Sequence, residues 1–305
     1  MEKENLNKQI CIMGAGSFGT AIYNLLKNKG LDVALWSKGF DVKSYVENKD
    51  FVIFAIPAQS FREVFTLAAP YIGDAICINL AKGIEIGSLK LLSQVAKEIL
   101  PDCKYVALSG PSHAEEVSIG LPTSVSIASS NEEILKEVQN VMFTEFFRVY
   151  INNDIVGVEL GGSIKNVIAV VAGISDGCKL GDNARAAMMT RGLAEIARLG
   201  VAMGANPLTF AGLSGMGDLV VTCTSDHSRN RRCGMLIGAG VPLDDAVKQI
   251  GQVVEGIPTC YAAYELSKKY DIDMPLTNLL HSFLEKEITL DEAISLLLSR
   301  SKKKE

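Results

Sequence analysis

Paired cysteines, clustered histidines and long apolar runs are all scarce in this 305-residue chain. Its seven cysteines are an odd number and none lies in a Cys-x-x-Cys pair, which predicts free thiols in a reducing, cytoplasmic compartment. Three scattered histidines do not supply the closely spaced ligands of a zinc site, so we expect no metal. The longest run of apolar residues and glycine, 233–241, has nine residues, whereas a membrane span needs about 20. We therefore expect no membrane span.

Net positive charge is also missing. Lys and Arg number 30 against 35 Asp and Glu, which gives a formal charge of −5. Such a chain lacks the basic surface that neutralising many phosphates requires, so we expect no nucleic-acid partner. Apolar residues make up 48% and charged residues 21%, a composition that buries a large core. The length suits two domains.

Short apolar runs without alternation recur in the first half of the chain. Runs of this kind, separated by helical stretches, indicate parallel strands buried on both faces. The predicted strands are residues 10–13, 33–36, 51–56, 76–80 and 105–108, with weaker ones at 124–128 and 147–151. Right-handed crossovers would join them into a doubly wound parallel sheet of the Rossmann type.

The second half has helical periodicity instead. The predicted helices are residues 164–174, 185–203, 243–250, 259–270 and 291–299, the last beginning at a Thr289-x-x-Glu292 capping box. The change of period divides the chain into an α/β domain, residues 1–153, and an all-α domain, residues 154–305.

A Gly14-x-Gly16-x-x-Gly19 pattern follows the first strand and opens a helix. In this context the first glycine allows a tight turn, the second lets the backbone approach a pyrophosphate, and the third lets helix and sheet pack closely. Free N–H groups at the helix N-terminus would bind the phosphates. The alternative is an ordinary strand-turn-helix with glycines for packing. Dinucleotide binding is favoured.

The end of the second strand bears on the choice between NAD and NADP. An NAD site usually places an acid there for the ribose diol, but this strand ends Trp36-Ser37-Lys38, with no acid before Asp41. Lys38 fits a 2′-phosphate better, so we favour NADP(H) with NAD(H) also used. A solvated turn lysine is the alternative.

Seven sequence blocks in order resemble the bacterial NAD(P)-dependent sn-glycerol-3-phosphate dehydrogenase family. They are GAGSFGTA, AKGIE, SGPSHAEEV, LGGSIKNVIA, GMGDL, SRNRR and GQVVEG. The resemblance covers nearly the whole chain. It implies a cytoplasmic enzyme that reversibly reduces dihydroxyacetone phosphate to sn-glycerol 3-phosphate for glycerophospholipid synthesis, and it is compatible with a homodimer.

The resemblance also implies site residues. Lys165 would transfer the proton, with Lys82 and Asp218 as further catalytic residues. The substrate would be lined by Lys82, Gly110, Ser112, Lys165, Asp218, Ser228, Arg229 and Asn230. The cofactor would contact Gly14, Gly16, Ser17, Phe18, Gly19, Lys38, Lys82, Ala114, Arg229, Val253 and Glu255.

One feature departs from the family. Only 14 residues separate Trp36 from Phe51, where the family has a longer segment with an extra helix and strand. A parallel crossover needs a dozen or more residues, so residues 41–48 are just long enough for a return helix. We expect part of the adenosine-side wall to be missing, which bears on cofactor preference more than on chemistry.

Carbonyl reduction needs a cation or acid where charge develops on the ketone oxygen, and a proton donor. Lys165 lies in an apolar helical run, where burial lowers the pKa of an ammonium group. The alternative is a snorkelling lysine whose head reaches water. Lys82 follows a buried strand, at the sheet edge where such folds bind ligands, although a surface turn lysine is equally consistent.

Three nearby residues have more than one interpretation. Asp218 could orient Lys165 or a substrate hydroxyl, or cap the segment that follows. Ser112-x-x-Glu115 is itself a capping box, which is compatible with ligand binding. His113 could act as an acid–base group, but we expect it to face solvent or cap a helix, because Lys165 already supplies the proton.

Positive charge is concentrated in Ser228-Arg229-Asn230-Arg231-Arg232. Arginine binds phosphate through two parallel hydrogen bonds, so we predict a phosphate anchor with Arg229 as the main contact. A solvated charge run and a nucleic-acid site are the alternatives, the latter disfavoured because no aromatic residues alternate with the charges. Alternative functions for the whole chain are a related β-hydroxyacid or 6-phosphogluconate-type dehydrogenase, and a non-catalytic NADP-binding sensor.

Overall fold

The computed structural model describes residues 8–298, which form seven strands and fourteen α-helices. The strands are β1 (Gln9–Met13), β2 (Asp32–Trp36), β3 (Phe51–Phe54), β4 (Ile76–Asn79), β5 (Lys104–Ser109), β6 (Thr123–Ala128) and β7 (Phe147–Asn152). The helices are α1 (Ser17–Asn28), α2 (Val42–Val46), α3 (Phe61–Ile72), α4 (Leu92–Ile99), α5 (Ala114–Ser118), α6 (Glu132–Met142), α7 (Ile155–Gly177), α8 (Asp182–Ala202), α9 (Asp218–Thr224), α10 (Arg229–Gly238), α11 (Leu243–Ile250), α12 (Gly256–Tyr270), α13 (Pro275–Leu284) and α14 (Leu290–Leu298). All seven predicted strands are confirmed.

The seven strands form one sheet in the order β2-β1-β3-β4-β5-β6-β7. The strand order reverses beside β1, which places a ligand crevice at the carboxyl ends of β1 and β3. The Rossmann-type fold is therefore confirmed, but the expectation of a wholly parallel sheet is wrong at one step, since β6 runs antiparallel to β5. An apolar run has the same pattern in either chain direction, so the run at residues 124–128 gave no signal of this reversal.

The shortened crossover between β2 and β3 closes as predicted. It forms the five-residue helix α2, and the side chain of Asp41 caps it by accepting a hydrogen bond from the backbone N–H of Ser44 at 3.0 Å. The indole N–H of Trp36 donates to the carbonyl of Phe40 at 3.0 Å and fixes the preceding turn. A crossover this short holds the sheet together but adds no further strand beside β2.

Helix α7 is the centre of the helical half. It is long and apolar enough to span a membrane by length and composition, but 83% of its apolar window is buried inside the protein. The lengths of the apolar runs did not predict a helix this long and apolar, because small and polar residues interrupt its apolar sequence. A Cβ on Gly173 would lie 2.1 Å from the carbonyl oxygen of Arg231, so glycine is what lets α10 pack against it. Helix α7 is a core helix.

The other helical predictions are confirmed with shifted ends. Helix α11 matches its prediction residue for residue, and Thr289 and Glu292 form the predicted capping box before α14. Residue 299, the predicted end of that last helix, lies outside the described residues, as do residues 1–7 and 300–305. Helices α9, α10 and α13 were not predicted. All seven cysteines are free, and five of them are buried.

Candidate active site

The glycine-rich turn lies between β1 and α1. Gly14 has a φ of +123°, and a Cβ there would lie 2.4 Å from the carbonyl oxygen of Ala55. A Cβ on Gly19 would lie 1.9 Å from the carbonyl oxygen of Gly14, so this glycine is required for α1 to approach the sheet. Both positions demand glycine for the reasons predicted.

Gly16 differs from its two neighbours. A Cβ there would meet nothing within 4 Å, so packing does not explain this glycine. The open space lies at the N-terminus of α1, where no side chain caps the free N–H groups around Ser17 and Phe18. This arrangement fits a dinucleotide pyrophosphate, which brings its own oxygens to the free N–H groups.

Lys38 follows β2, at the same carboxyl edge of the sheet as the glycine-rich turn after β1. Its side chain is 90% exposed, and its ammonium group is 3.8 Å from a carboxylate oxygen of Glu63. An exposed pair of this kind contributes little to stability, so the lysine is available to a phosphate. Its role at the 2′-phosphate stays a prediction.

Lys165 lies in the middle of α7, and its side chain is 7% exposed. Its ammonium group donates hydrogen bonds to Oδ1 of Asp218 and, at 2.7 Å, to the hydroxyl of Thr222. The snorkelling alternative is therefore wrong, because the charged head is buried and paired. Two glycines of α7 make room for the surrounding backbone, since a Cβ on Gly161 would lie 2.5 Å from the carbonyl oxygen of Ser214 and one on Gly162 would lie 2.3 Å from the hydroxyl of Ser109.

Lys82 reaches the same carboxylate from the sheet side. It follows β4, and its ammonium group donates to Oδ2 of Asp218 at 2.5 Å and to the carbonyl of Gly110 at 2.8 Å. Its side chain is 15% exposed, so the surface-turn alternative is wrong. The backbone N–H of Gly110 and the hydroxyl of Ser109 also donate to Oδ2, at 3.2 and 3.3 Å.

Burial and neighbouring charges shift the pKa of Lys165 and the pKa of Asp218. Burial lowers the pKa of Lys165 to about 8, an effect that the nearby charge of Lys82 strengthens and that of Asp218 opposes. Burial alone would raise the pKa of Asp218, but the two ammonium groups outweigh it and the net shift is downward. Asp218 is therefore ionised at neutral pH, and Lys165 is poised to exchange a proton.

Asp218 is positioned by a π-helical turn, Leu213–Gly217, that runs directly into α9. Such turns are rare and are frequent at functional sites. The capping alternative for Asp218 is wrong, because its carboxylate binds the lysines instead. Thr222, one turn further along α9, was missed by sequence reasoning, although its i+4 spacing from Asp218 on a helix was a usable signal.

Two expectations beside Gly110 are wrong. The capping box from Ser112 to Glu115 does not form, because α5 begins at Ala114 and the Ser112 hydroxyl donates instead to the carbonyl of Gly110 at 3.0 Å. His113 occupies the residue before α5 but its side chain makes no cap, and it is half-buried rather than solvent-facing. Both side chains lie on the loop that also contacts Lys82.

The basic cluster is only partly free. Arg231 is bound to Asp176 at 2.9 Å and to Asp226 at 2.7 Å, whereas Arg229 is exposed and donates to the side chain of Gln252 at 3.1 Å. These ion pairs engage one of the three arginines, while Arg229 and Arg232 are exposed. The role of Arg229 as the phosphate contact stays a prediction.

Ser228 and Asn230 are committed to contacts within the protein. The Ser228 hydroxyl caps α10 by accepting from the backbone N–H of Arg231 at 3.2 Å. The Asn230 amide donates to Asn166 at 2.9 Å, and its oxygen accepts from the N–H of Gly256 at 2.9 Å. Asn166, next to Lys165 on α7, was missed by sequence reasoning. Direct substrate contacts of Ser228 and Asn230 stay predictions.

Glu255 connects the two halves of the protein beside the glycine-rich turn. Its Oε1 accepts from the backbone N–H of Ala58 at 3.0 Å, while its Oε2 is buried without a partner among the described residues. Burial raises the pKa of this carboxyl. An unpartnered buried oxygen is an acceptor available to a ligand amide.

Val253 nearby is 45% exposed. Within residues 8–298 no group of three or more candidate ligands could hold a metal.

Comparisons with known proteins show the family of this chain. The C-terminal model of NAD-dependent glycerol-3-phosphate dehydrogenase matches residues 154–295, and the N-terminal model matches residues 9–49 and 37–135. Glycerol-3-phosphate dehydrogenase (NAD(P)+) of Clostridium perfringens strain SM101 is 45% identical over 97% of this chain and 99% of its own length. The chain belongs to this family.

Further relatives of this family agree in sequence and structure. The Bacillus subtilis enzyme of the same name is 45% identical over 97% of this chain and 95% of its own length. A solved structure of glycerol-3-phosphate dehydrogenase from Coxiella burnetii has a TM-score of 0.93 and 38% identity, covering 97% of this chain and 100% of its own.

The same comparisons support the shortened crossover. The N-terminal family model matches in two pieces that overlap at residues 37–49, which is where β2 connects to β3 through α2. The alignment to the Clostridium perfringens relative spans 327 residues, more than this chain contains. Both observations fit a shortened segment after β2, which stays a prediction.

Proposed function

We propose that this member of the glycerol-3-phosphate dehydrogenase family reduces dihydroxyacetone phosphate to sn-glycerol 3-phosphate with Lys165 as the proton donor. The observation that supports this most is the pair of lysines on one buried carboxylate, Asp218, at the carboxyl edge of the sheet. Open α/β sheets bind ligands at that edge. The product is a precursor of glycerophospholipids.

Each member of the cluster has a distinct task. Lys165 protonates the ketone oxygen, and its pKa of about 8 lets it give up that proton near neutral pH. Lys82 places a second positive charge where negative charge develops on that oxygen. Asp218 keeps the two ammonium groups together, since without a carboxylate between them they would repel each other. Thr222 fixes the direction of the Lys165 head.

The substrate phosphate is assigned to Arg229. This guanidinium lies at the start of α10, near Asn230 and Ser228, and is exposed with one neutral partner. A charge-assisted hydrogen bond contributes about 1.5–3 kcal/mol, enough to dominate the binding of a small substrate. Gly110 and Ser112 lie on the loop that contacts Lys82 and Asp218.

The cofactor is NADP(H) or NAD(H), held at the turn of Gly14, Gly16 and Gly19 and by the N-terminus of α1. When bound it supplies the hydride. Lys38 would face the ribose 2′-position, and the remaining contacts are proposed for Ser17, Phe18, Lys82, Ala114, Arg229, Val253 and Glu255. The unpartnered Oε2 of Glu255 suits the amide of a nicotinamide ring.

A direct assay tests the proposal. Purified protein, mixed with NADPH or NADH and dihydroxyacetone phosphate, should oxidise the cofactor, which is followed by loss of absorbance. Short hydroxyacids and 6-phosphogluconate, offered with NADP+ or NAD+, should give no turnover, whereas sn-glycerol 3-phosphate should. Cofactor binding without turnover of any of these substrates would instead make the protein a sensor.

Cellular location, assembly and domain division complete the proposal. Seven free thiols, five of them buried, suit a reducing compartment, and we place the enzyme in the cytoplasm. We take the working form to be a homodimer, which sedimentation of the purified protein would test. We divide the domains at residues 153 and 154, where the sheet ends and α7 begins behind its cap, Asp154. The substrate lies between them.

A further inference from the structure

His113 carries a buried nitrogen that the proposed mechanism does not use. The residue lies between β5 and α5, on the loop that contains Gly110, and its Nε2 has no hydrogen-bond partner among the described residues. Buried polar atoms are almost always paired in native proteins, so an unpaired one at the edge of an active site calls for an explanation. A bound ligand is the simplest one.

The surroundings of His113 determine its charge. Burial lowers the pKa of the imidazole, and the positive charges of Lys165 and Lys82 lower it further, while the backbone of Val221 and the charge of Asp218 act in the opposite direction. The ring of His227 lies 5.9 Å away, centroid to centroid, and covers one side. The imidazole is therefore neutral at physiological pH.

The backbone of Val221 stabilises a ring N–H of His113, and Nε2 is the buried ring nitrogen without a partner. In a neutral imidazole one nitrogen donates and the other accepts. Nε2 is thus an acceptor beside two ammonium groups, in a region otherwise suited to negative ligands.

We propose that Nε2 of His113 accepts a hydrogen bond from the free hydroxyl of dihydroxyacetone phosphate, and so selects substrates that carry this hydroxyl. The proposal rests on the proposed function. In this substrate the phosphate and the ketone oxygen act as acceptors, and the hydroxyl on the carbon without phosphate is the hydrogen-bond donor. Asp218, the other acceptor beside the lysines, already binds both ammonium groups, so the unpartnered Nε2 matches the hydroxyl rather than the phosphate or the ketone oxygen.

The test compares two substrates in three proteins. Acetonyl phosphate is the same ketone phosphate without the hydroxyl. His113→Phe should lower kcat/KM for dihydroxyacetone phosphate about 10- to 100-fold, because a buried hydroxyl then lacks its acceptor, and should change kcat/KM for acetonyl phosphate less than about threefold. His113→Gln, which can place an amide oxygen near the position of Nε2, should restore part of the preference.

Controls separate this inference from loss of fold and from failure of the proposed function. NADPH affinity should be unchanged in both variants, and His227→Phe, which alters the neighbouring exposed ring, should leave the substrate preference intact. If wild type reduces acetonyl phosphate too slowly to measure, its inhibition constant is compared instead. Equal losses for both ketones in His113→Phe, or no loss, would overturn the inference, whereas no turnover of dihydroxyacetone phosphate by wild type would overturn the proposed function itself.

Discussion

Lys82 and Asp218, 136 residues apart in the sequence, form an ion pair with 2.5 Å between Nζ and Oδ2. Lys82 follows a strand of the sheet and Asp218 begins a helix of the second half, so this pair joins the two halves at the site. The same carboxylate binds Lys165 through its other oxygen. One buried negative charge therefore holds two positive charges in place.

Asp218→Asn tests this arrangement. We expect turnover to fall about 10- to 1000-fold, because the lysines lose the charge that positions them. The pH profile should shift as well. Reduction requires protonated Lys165, so wild-type kcat/KM should decline above about pH 8, and removal of the carboxylate, which raises the pKa of Lys165, should move that decline to lower pH.

The matched control for this variant is Asp226→Asn. Asp226 is 94% exposed and pairs with Arg231 at the edge of the basic cluster. Its replacement should leave the pH profile of kcat/KM unchanged. If Asp218→Asn kept the wild-type decline above pH 8, the titrating group would be one other than Lys165.

Lys38→Asp should change cofactor preference. A carboxylate at this position repels a 2′-phosphate and can accept from a ribose diol, so KM for NADPH should rise about tenfold or more while KM for NADH falls. The measurement is the ratio of kcat/KM for the two cofactors. Lys43→Asp, on the neighbouring helix α2, is the control, and an equal change there would show a general charge effect rather than recognition at Lys38.

Arg229→Ala should act on substrate binding. Loss of a charge-assisted contact to phosphate should raise KM for dihydroxyacetone phosphate about 10- to 100-fold, with a smaller effect on kcat. Arg232 is also exposed and lies three residues along the same helix, so Arg232→Ala is the control. An unchanged KM in Arg229→Ala would place the phosphate elsewhere.

Glu195→Gln should alter the dependence of stability on pH. Glu195 is completely buried in α8 and caps α13 by accepting from the backbone N–H groups of Leu276 and Thr277 at 2.6 and 3.2 Å. Burial raises its pKa from 4.5 to about 7. The folded protein therefore holds a proton that the unfolded chain releases, and the resulting stability is full below pH 4.5 and is lost as pH rises through 7.

Urea unfolding at pH 5 and pH 8 checks this. The difference in unfolding free energy between wild type and Glu195→Gln should shrink by about 1–3 kcal/mol between the two pH values, since glutamine does not titrate. Glu265→Gln, at an exposed position on α12, should show no such change. A difference that stays the same between pH 5 and pH 8 would mean that Glu195 is ionised in the folded protein throughout.

Much of the fold could be predicted because local pattern and tertiary context agree. The buried strands are continuous apolar runs, and the turn after β1 needs glycine at Gly14 and Gly19 for steric reasons that the sequence pattern states directly. The antiparallel step at β6 could not be predicted, because an apolar run has the same pattern whichever way the strand runs. Helix α10 was not predicted, because its first turn is mostly arginine and it contacts α7 through glycines rather than through an apolar stripe.

The site divides in the same way. Lys165, Lys82 and Asp218 were found through the family's sequence blocks. Only the structure shows that both lysines pair with the carboxylate of Asp218. Thr222, Asn166 and the buried nitrogen of His113 depend on how α7, α9 and the β5 loop pack together. Most of these contacts join residues far apart in the chain, so the i+4 spacing of Asp218 and Thr222 was the one local signal for them.

The central claim is that the buried ammonium group of Lys165 delivers the proton to the ketone. Lys165→Ala, assayed with saturating NADPH and dihydroxyacetone phosphate beside a titration of NADPH affinity, tests it most directly. We predict that turnover falls at least about 100-fold while NADPH binds with near-normal affinity. Turnover at the wild-type rate in this variant would contradict the account.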